Sequence, residues 1–148
     1  MPTKDKTGQP QDAAALFARY HQSWTAKDPD LIASLHSDDT LFAIHDGSAP
    51  VKGREPLRQL CAAMFEKYRF SLEEKRTLFG PGHWIMEWDM VIDVADAGGR
   101  PSATRVGMLD VVTFDGQGKV TRKDVFVNGA EMKAAMSAAG TQPAAATV

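Results

Sequence analysis

Asp110 is an acidic residue in the middle of the apolar stretch "GMLDVVTF", which has the composition of a β-strand. Removing an unpaired carboxylate from water costs on the order of several kcal/mol, so burial favours its neutral, hydrogen-bond-donating form. A neutral acid aimed at a carbonyl oxygen stabilises an enolate or a similar anion. The alternative is that Asp110 accepts hydrogen bonds from a neighbouring side chain and only holds the sheet in shape.

Three other side chains could take part in acid/base chemistry. Tyr20 lies on a helical apolar stripe, where an aromatic residue more often packs in the core. Asp46 could move a proton, although it precedes Gly47, and Asp is common there because it suits turns. His45 could serve instead, since an imidazole can both take and give a proton, but strand alternation turns it to the opposite face from Ile44.

Motifs for metals, phosphates and covalent catalysis are missing from the sequence. The four histidines have no metal-ligand spacing. The sequence contains no nucleophile elbow, P-loop or dinucleotide fingerprint. It therefore predicts neither a metal site nor a cofactor.

Hydrophobic periodicity indicates the elements that would position these side chains. Apolar residues recur at helical spacing from 12 to about 27. Asp28 as N-cap and Pro29 at the first helical position predict a second, short helix, which would bury Leu31, Ile32 and Leu35. His21 and His36 fall on these helices with no partner that the sequence identifies.

The rest of the chain reads as one more helix and then as strands. A third helix is predicted over about 54–68. Strands joined by Gly-rich turns are predicted over 70–79, 83–94, 103–114 and 119–128. A short closing helix is predicted over 129–140. Helices followed by a long antiparallel sheet predict an α+β fold, with the helices packed on one face of a curved sheet.

The two faces of the predicted sheet differ less in polarity than is expected for a sheet with one face in the core and the other in solvent. One face of the strand "HWIMEWDMVIDV" is wholly apolar, and the opposite faces of this strand and the next still carry several apolar residues. We therefore expect the outer face of the sheet to be covered, most simply by a second copy of the chain in a homodimer. In the last strand, alternation separates Lys123, Val125 and Val127 from Asp124, Phe126 and Asn128, and does not fix which set faces inward.

Length, charge and composition limit the class of protein. The 148 residues favour one domain over about 12–138, with flexible arms at 1–11 and 139–148. A net charge of −2 with scattered basic residues gives no reason to expect a nucleic acid partner. No secretory signal and no run of about 20 apolar residues is visible, so a cytoplasmic protein without membrane contact is expected. Cys61 is expected to be a small core residue.

Three stretches in order make the chain resemble a known family. They are "RYHQSWTAKDPDLIASLHSDD", "VKGREPLRQL" and "LDVVTFDGQGKV", and they are similar to stretches of the nuclear transport factor 2-like superfamily, in its SnoaL-like and ketosteroid isomerase-like branch. The resemblance covers about residues 12–138. It implies a cone-shaped, curved antiparallel sheet wrapped around three N-terminal helices, with a short C-terminal helix and an apolar cavity at the open end.

The resemblance also implies roles for individual residues. Tyr20 and Asp110 match the family's oxyanion-binding pair, whereas the family's base falls on Ile44, and Asp46 is the nearest carboxylate. Asn128 stands where relatives often carry an Asp, and an amide cannot act as a base. The expected ligand-binding residues are Trp24, Phe42, Ile44, Phe65, Met86, Trp88, Met108, Val112, Val125 and Val127.

Three functions stay open from the sequence. The first is a cofactor-independent isomerase, dehydratase or cyclase that acts on a small hydrophobic carbonyl compound. In this case Tyr20 and Asp110 hold the oxyanion while Asp46 or His45 moves the proton. The second is a non-catalytic protein that binds a small molecule in the same pocket, which the loss of the expected base at Ile44 favours. The third is a dimerisation module with a filled core.

Overall fold

Four helices and six strands form the part of the chain that the structure, a computed structural model, describes: residues 12–95 and 98–138. In chain order they are α1 (Ala13–Thr25), α2 (Pro29–Ser34), β1 (His36–His45), β2 (Val51–Lys52), α3 (Arg54–Lys67), β3 (Phe70–Gly80), β4 (His83–Ala95), β5 (Pro101–Phe114), β6 (Val120–Val127) and α4 (Gly129–Ala138). The α+β order is as predicted. The predicted arms at 1–11 and 139–148 lie outside the described residues.

Helix α2 begins where the sequence predicts, but it ends earlier than predicted. The Asp28 carboxylate accepts a hydrogen bond from the Leu31 backbone N–H, and Pro29 occupies the first turn. Ile32 is buried, but Leu31 remains 39% exposed, so its predicted burial is wrong. The helix stops at Ser34, and His36 is the first residue of β1 rather than part of a helix.

The six strands form one sheet in the order β2-β1-β6-β5-β4-β3. All neighbouring pairs are antiparallel except β1 and β6, which run parallel. The antiparallel prediction missed this pair because β1 and β6 are far apart in the chain, separated by α3 and four strands. Register shifts occur in β3 opposite β4 and in β6 opposite β5. Such bulges bend a strand and increase its twist, which helps the sheet to curve around the helices.

The inner face of the sheet carries the apolar side chains that pack against α1 and α3. On β4 the predicted face is buried, through Trp84, Met86, Trp88, Met90 and Ile92. The register answers the question that alternation left open for β6. Lys123 pairs with Val112, and Val125 pairs with Asp110, so Lys123 and Val125 lie on the inner face. Asp124 and Phe126 lie on the outer face.

No helix among residues 12–95 and 98–138 is long and apolar enough to cross a membrane.

Candidate functional site

Asp110 is 2% exposed, and both oxygens of its carboxylate have donors. Oδ1 accepts a hydrogen bond from the Trp88 indole N–H at 2.9 Å. Oδ2 lies 3.4 Å from the Nζ of Lys123. The expectation of an acid without a partner is therefore wrong, because Asp110 lies between an ammonium and an indole N–H, both of which suit an accepting carboxylate oxygen.

Lys123 is the partner that the sequence interpretation did not include in the site. Its side chain is buried, with 4% of the residue exposed. The ammonium lies 4.1 Å from the ring centroid of Trp24, 4.9 Å from that of Tyr20 and 5.7 Å from that of Phe42. Aromatic faces at such distances attract a cation. We call these three rings the aromatic cage. In the sequence, the signal for this buried lysine was its alternation with the apolar residue Val125.

One polar atom of the cage has no partner. The indole N–H of Trp24 is buried and makes no hydrogen bond within the described residues. An unmet buried donor costs about 1–3 kcal/mol, so native proteins seldom keep one. The face of the same indole ring contacts the Lys123 ammonium.

A buried chain of hydrogen bonds lies on the other side of Tyr20. The Tyr20 hydroxyl lies 2.8 Å from His36 Nε2, and His36 Nδ1 lies 2.7 Å from Thr40 Oγ1. Burial, then the positive charges of Lys123 and Arg54, lower the pKa of His36 to about 3, so its ring is neutral at pH 7. Burial likewise raises the pKa of Tyr20 well above its ordinary value.

Replacing Tyr20 with phenylalanine is expected to lower the free energy of unfolding by about 1–2 kcal/mol, because one nitrogen of the buried His36 ring then lacks its partner. Urea unfolding at pH 7 measures the change. Tyr68→Phe is the matched control, since Tyr68 is only partly buried at the end of α3, and its loss of a hydroxyl should change stability by less than about 0.5 kcal/mol. Equal effects of the two substitutions would contradict a special role for the hydroxyl of Tyr20.

Asp46 lies away from the ion pair, on an exposed turn. β1 ends at His45, so Asp46 does not continue the strand that carries Ile44. The Asp46 carboxylate instead accepts hydrogen bonds from the backbone N–H and the hydroxyl of Ser48. These bonds lower the pKa of Asp46. They also give Asp46 the turn-forming role that its sequence context favours.

His45 lies on the outer face of the sheet, opposite to Ile44 as alternation predicts. Its Nε2 is 2.9 Å from Asp124 Oδ1, and its ring stacks on Phe126 with centroids 4.1 Å apart. Arg122 holds the other oxygen of Asp124 at 2.8 Å, and this contact lowers the pKa of Asp124. The four predicted acid/base residues thus occupy three places: Tyr20 and Asp110 inside, Asp46 on a turn and His45 outside.

The ten predicted ligand-binding residues come together in the core, and three of them, Trp88, Met108 and Val127, also line an open groove of about 410 Å³. All of them belong to the core cluster or pack against it: Trp24, Phe42, Ile44, Phe65, Met86, Trp88, Met108, Val112, Val125 and Val127. The interior cavity beside Tyr20 and Trp84 holds about 10 Å³, which is about the room that one water needs. Within the described residues, large buried aromatic side chains occupy much of the interior in which the resemblance implies a cavity.

Two further positions of the expected site have structural roles. Ile44, where the family's base was expected, packs against the core beside Val125. The side chain of Asn128 accepts a hydrogen bond from the Glu131 backbone N–H and caps α4. Cys61 is buried, and burial raises the pKa of its thiol to about 12. Among the described residues, no group of His, Cys, Asp and Glu side chains is arranged to hold a metal ion.

Comparisons with known proteins agree with this fold. The family model of the SnoaL-like domain matches residues 17–123. A search of curated proteins found no match. One similar structure is a protein assigned as a SnoaL-like polyketide cyclase from Shewanella denitrificans OS-217, with a TM-score of 0.72 and 11% identity over 84% of this chain and 96% of that one.

Two further structures show the range of proteins with this fold. A protein with a ketosteroid isomerase-like fold from Catenulispora acidiphila DSM 44928, solved in complex with trimethylamine, has a TM-score of 0.70 and 15% identity, over 87% of this chain and 95% of that one. An LEH-like epoxide hydrolase from M. tuberculosis has a TM-score of 0.68 and 13% identity, over 85% and 90% of the two chains. At such identities the likeness shows the fold alone, and function depends on the site.

Proposed function

The chain belongs to the SnoaL-like domain family, and on that premise we propose that it is a cofactor-independent enzyme acting on a small hydrophobic carbonyl compound. The reaction is an isomerisation, a dehydration or an aldol-type cyclisation by acid/base chemistry. The observation that carries the proposal is the ion pair of Asp110 and Lys123, buried in the aromatic cage.

A purely structural core would gain little from this ion pair. Replacing a buried ion pair with well-packed apolar residues is often neutral or stabilising, so its presence needs another reason. Charged groups held in an apolar interior cluster at functional sites because their protonation states can be shifted there. Asp110 and Lys123 are adjacent on the inner face, one able to accept a proton and the other able to donate one.

The geometry gives each member of the pair a role. The Asp110 carboxylate takes the proton next to the substrate carbonyl, while the Lys123 ammonium donates a hydrogen bond to the oxygen on which negative charge develops. This differs from the sequence-based roles, in which Asp110 held the oxyanion. Asp46 and His45 lie outside the cage, so the proposal assigns them no proton transfer, and Tyr20 serves as a wall of the site.

The relatives support this class of reaction without naming the substrate. One is assigned as a polyketide cyclase and another as an epoxide hydrolase. Both descriptions refer to chemistry on small organic molecules, and a third relative was solved with a small organic ligand, trimethylamine.

A substrate reaches the pair only if the interior opens. Helix α4 is suited to this motion because it covers the core with Ala135 and the flexible side chains of Met132 and Met136. One side-chain hydrogen bond joins it to the sheet, from the Gly107 backbone N–H to Glu131 at 2.7 Å. Methionine side chains adapt readily to a new occupant.

The test uses cyclohex-3-en-1-one, a small β,γ-unsaturated ketone whose conversion to the conjugated enone is followed by ultraviolet absorbance. Asp110→Asn is expected to lower turnover by at least about 100-fold, because the base is lost. Asp46→Asn is the matched control and should retain the wild-type rate. Circular dichroism of each variant checks that it is folded. An unchanged rate in folded Asp110→Asn contradicts the proposal, and a loss in Asp46→Asn alone would return the base to Asp46.

A dimerisation module without catalysis is the second candidate, and the filled interior favours it. A cavity of about 10 Å³ accepts no organic ligand in this conformation. Native mass spectrometry of the purified protein separates the candidates, since a retained small molecule requires an interior that opens. No retained ligand together with no turnover of the enone would support the module.

The outer face of the sheet supports a homodimer as the assembled form. Leu109 and Phe126 face each other across β5 and β6 and are 39% and 43% exposed. They border an open groove of about 410 Å³ that also includes Lys75, Arg76, Glu87 and Asp89. Exposed apolar side chains beside charges of both signs suit pairing with a second copy of the same face.

Leu109→Glu is expected to convert a dimer into a monomer, because it places a charge in the apolar centre of that face. Sedimentation equilibrium should give twice the 16.1 kDa of the chain for the wild type and one chain mass for the variant. Leu31→Glu is the matched control: Leu31 is also 39% exposed but lies on α2, so this variant should stay dimeric. A monomeric wild type would refute the interface.

A further inference from the structure

We propose that Lys123 is a nucleophile that forms an imine with the carbonyl carbon of the substrate. The inference rests on the proposed function, because it uses the same class of carbonyl compound and the same pair of residues. It goes further in making the chemistry covalent, because Lys123 then bonds to the carbonyl carbon in place of donating a hydrogen bond to the carbonyl oxygen. It also narrows the substrate to an aldehyde or a ketone, since only these form an imine with an amine.

The burial of Lys123 is the first observation behind the proposal. Among the lysines of residues 12–95 and 98–138, Lys123 alone is buried; the others are exposed or partly exposed: Lys27, Lys52, Lys67, Lys75, Lys119 and Lys133. A lysine amine becomes a useful nucleophile in an apolar pocket, where its charged form loses hydration. The aromatic cage supplies such a surrounding around the Nζ atom.

The Asp110 carboxylate is the second observation, since an ammonium must lose a proton before it can attack. Oδ2 of Asp110 lies 3.4 Å from Nζ, within reach of a proton transfer that turns the ion pair into a carboxylic acid and a free amine. The Trp88 indole N–H holds the other oxygen at 2.9 Å and so fixes the direction in which the carboxyl group points.

The reaction can be written with every proton accounted for. The Nζ lone pair forms a bond to the carbonyl carbon, and the π electrons move to the oxygen, which takes the proton that Asp110 carries. The Asp110 carboxylate then removes one proton from the positively charged nitrogen, which gives the neutral carbinolamine and leaves Asp110 protonated again. Asp110 then protonates the hydroxyl group, the carbon–oxygen bond breaks, and water leaves as the nitrogen lone pair forms the iminium. The products are one protonated imine, one water and the Asp110 carboxylate.

The iminium explains how one pair can serve several reactions. It withdraws electrons from the neighbouring carbon, so the Asp110 carboxylate removes a proton from that carbon and leaves an enamine. Return of the proton at another carbon gives isomerisation, whereas attack of the enamine carbon on a second carbonyl group gives cyclisation. Water then hydrolyses the iminium and restores the Lys123 amine.

The unmet donor of Trp24 is the third observation. Its indole N–H has no partner among the described residues, and its ring is the cage wall nearest to the ammonium, at 4.1 Å. A polar atom of a substrate bound inside the cage would supply the acceptor that this N–H lacks.

Reductive trapping tests the imine directly. The wild-type protein is incubated with cyclohexanone and sodium cyanoborohydride, which reduces an iminium to a stable secondary amine, and the labelled lysines are identified by peptide mapping. We expect Lys123 to be labelled at least about tenfold faster than the exposed Lys52 and Lys133. A lysine that is only a buried counter-ion would be labelled last, and that order would overturn the proposal.

Variants separate this proposal from the acid/base function. Lys123→Arg keeps a cation beside Asp110 but cannot form an imine, so both labelling at position 123 and turnover of cyclohex-3-en-1-one should be lost. Lys133→Arg, at an exposed position on α4, should behave as the wild type. Turnover that persists in Lys123→Arg, with no trapping in the wild type, would refute the imine and leave acid/base catalysis standing. A wild type with neither trapping nor turnover would refute both.

Discussion

Replacing Lys123 with methionine is expected to lower the free energy of unfolding by about 3–5 kcal/mol, the usual cost of leaving one member of a buried ion pair alone. Asp110 would keep the Trp88 N–H as its partner, but its charge would have no counter-ion in the apolar interior. Methionine fills a similar volume and is flexible, so a cavity contributes little to the loss. Urea unfolding at pH 7, followed by tryptophan fluorescence, measures the change.

The double variant Lys123→Met with Asp110→Asn is the control for this result. The asparagine oxygen can still accept the Trp88 hydrogen bond, and neither site then carries a buried charge, so most of the lost stability should return. A Lys123→Met variant within about 1 kcal/mol of the wild type would contradict a desolvated ion pair. If the double variant is stable but inactive, the pair is retained for chemistry rather than for the fold.

Acidification is expected to remove about 4–5 kcal/mol of stability between pH 6.5 and pH 3 through His36 alone. The pKa of His36 is lowered from 6.5 to about 3 in the folded protein. In that window the unfolded chain binds a proton that the folded chain excludes, so stability is fully present above pH 6.5 and declines as the pH falls. Burial of the ring is the main cause, followed by the charges of Lys123 and Arg54.

The measurement is the free energy of urea unfolding at several pH values between 6.5 and 4.5, above the range in which the lowered carboxylate pKa values of Asp46 and Asp124 contribute. His36→Gln should flatten the dependence in this window, although it is less stable overall. His83→Gln is the control, because His83 lies at the turn between β3 and β4, and it should keep the wild-type slope. An equal slope in His36→Gln and the wild type would assign the acid sensitivity to another group.

The helices and strands could be predicted from the sequence because each has a local signal. The apolar stripe of α3, the cap formed by Asp28 and the alternation of β4 each depend on neighbours within about ten residues. The place of His36 could not be predicted in this way. The helical pattern of α2 runs on without a Gly or Pro to end it, while the start of β1 is fixed by pairing with Val120, far along the chain.

Predicting the candidate site required more tertiary information than predicting the helices and strands. Strand alternation identified two possible faces for Lys123, but only the register of β6 against β5 places it beside Asp110. The burial of an acid was visible in the sequence, whereas its two partners, Lys123 and the Trp88 indole N–H, were not. The sequence left open whether the interior holds a pocket or is filled, since the shared fold fixes the sheet and not the volume of the aromatic side chains inside it.

The position of β6 in the sheet has a consequence for how the protein is made. β6 follows every other strand in the chain, yet it lies between β1 and β5. On the ribosome, β1 and β5 emerge before their shared neighbour, and β1 meanwhile has only the two-residue β2 beside it. Open strand edges readily pair with other chains, and distant strand pairs form slowly. A growing chain is therefore most exposed to aggregation just before it releases the segment that carries Lys123.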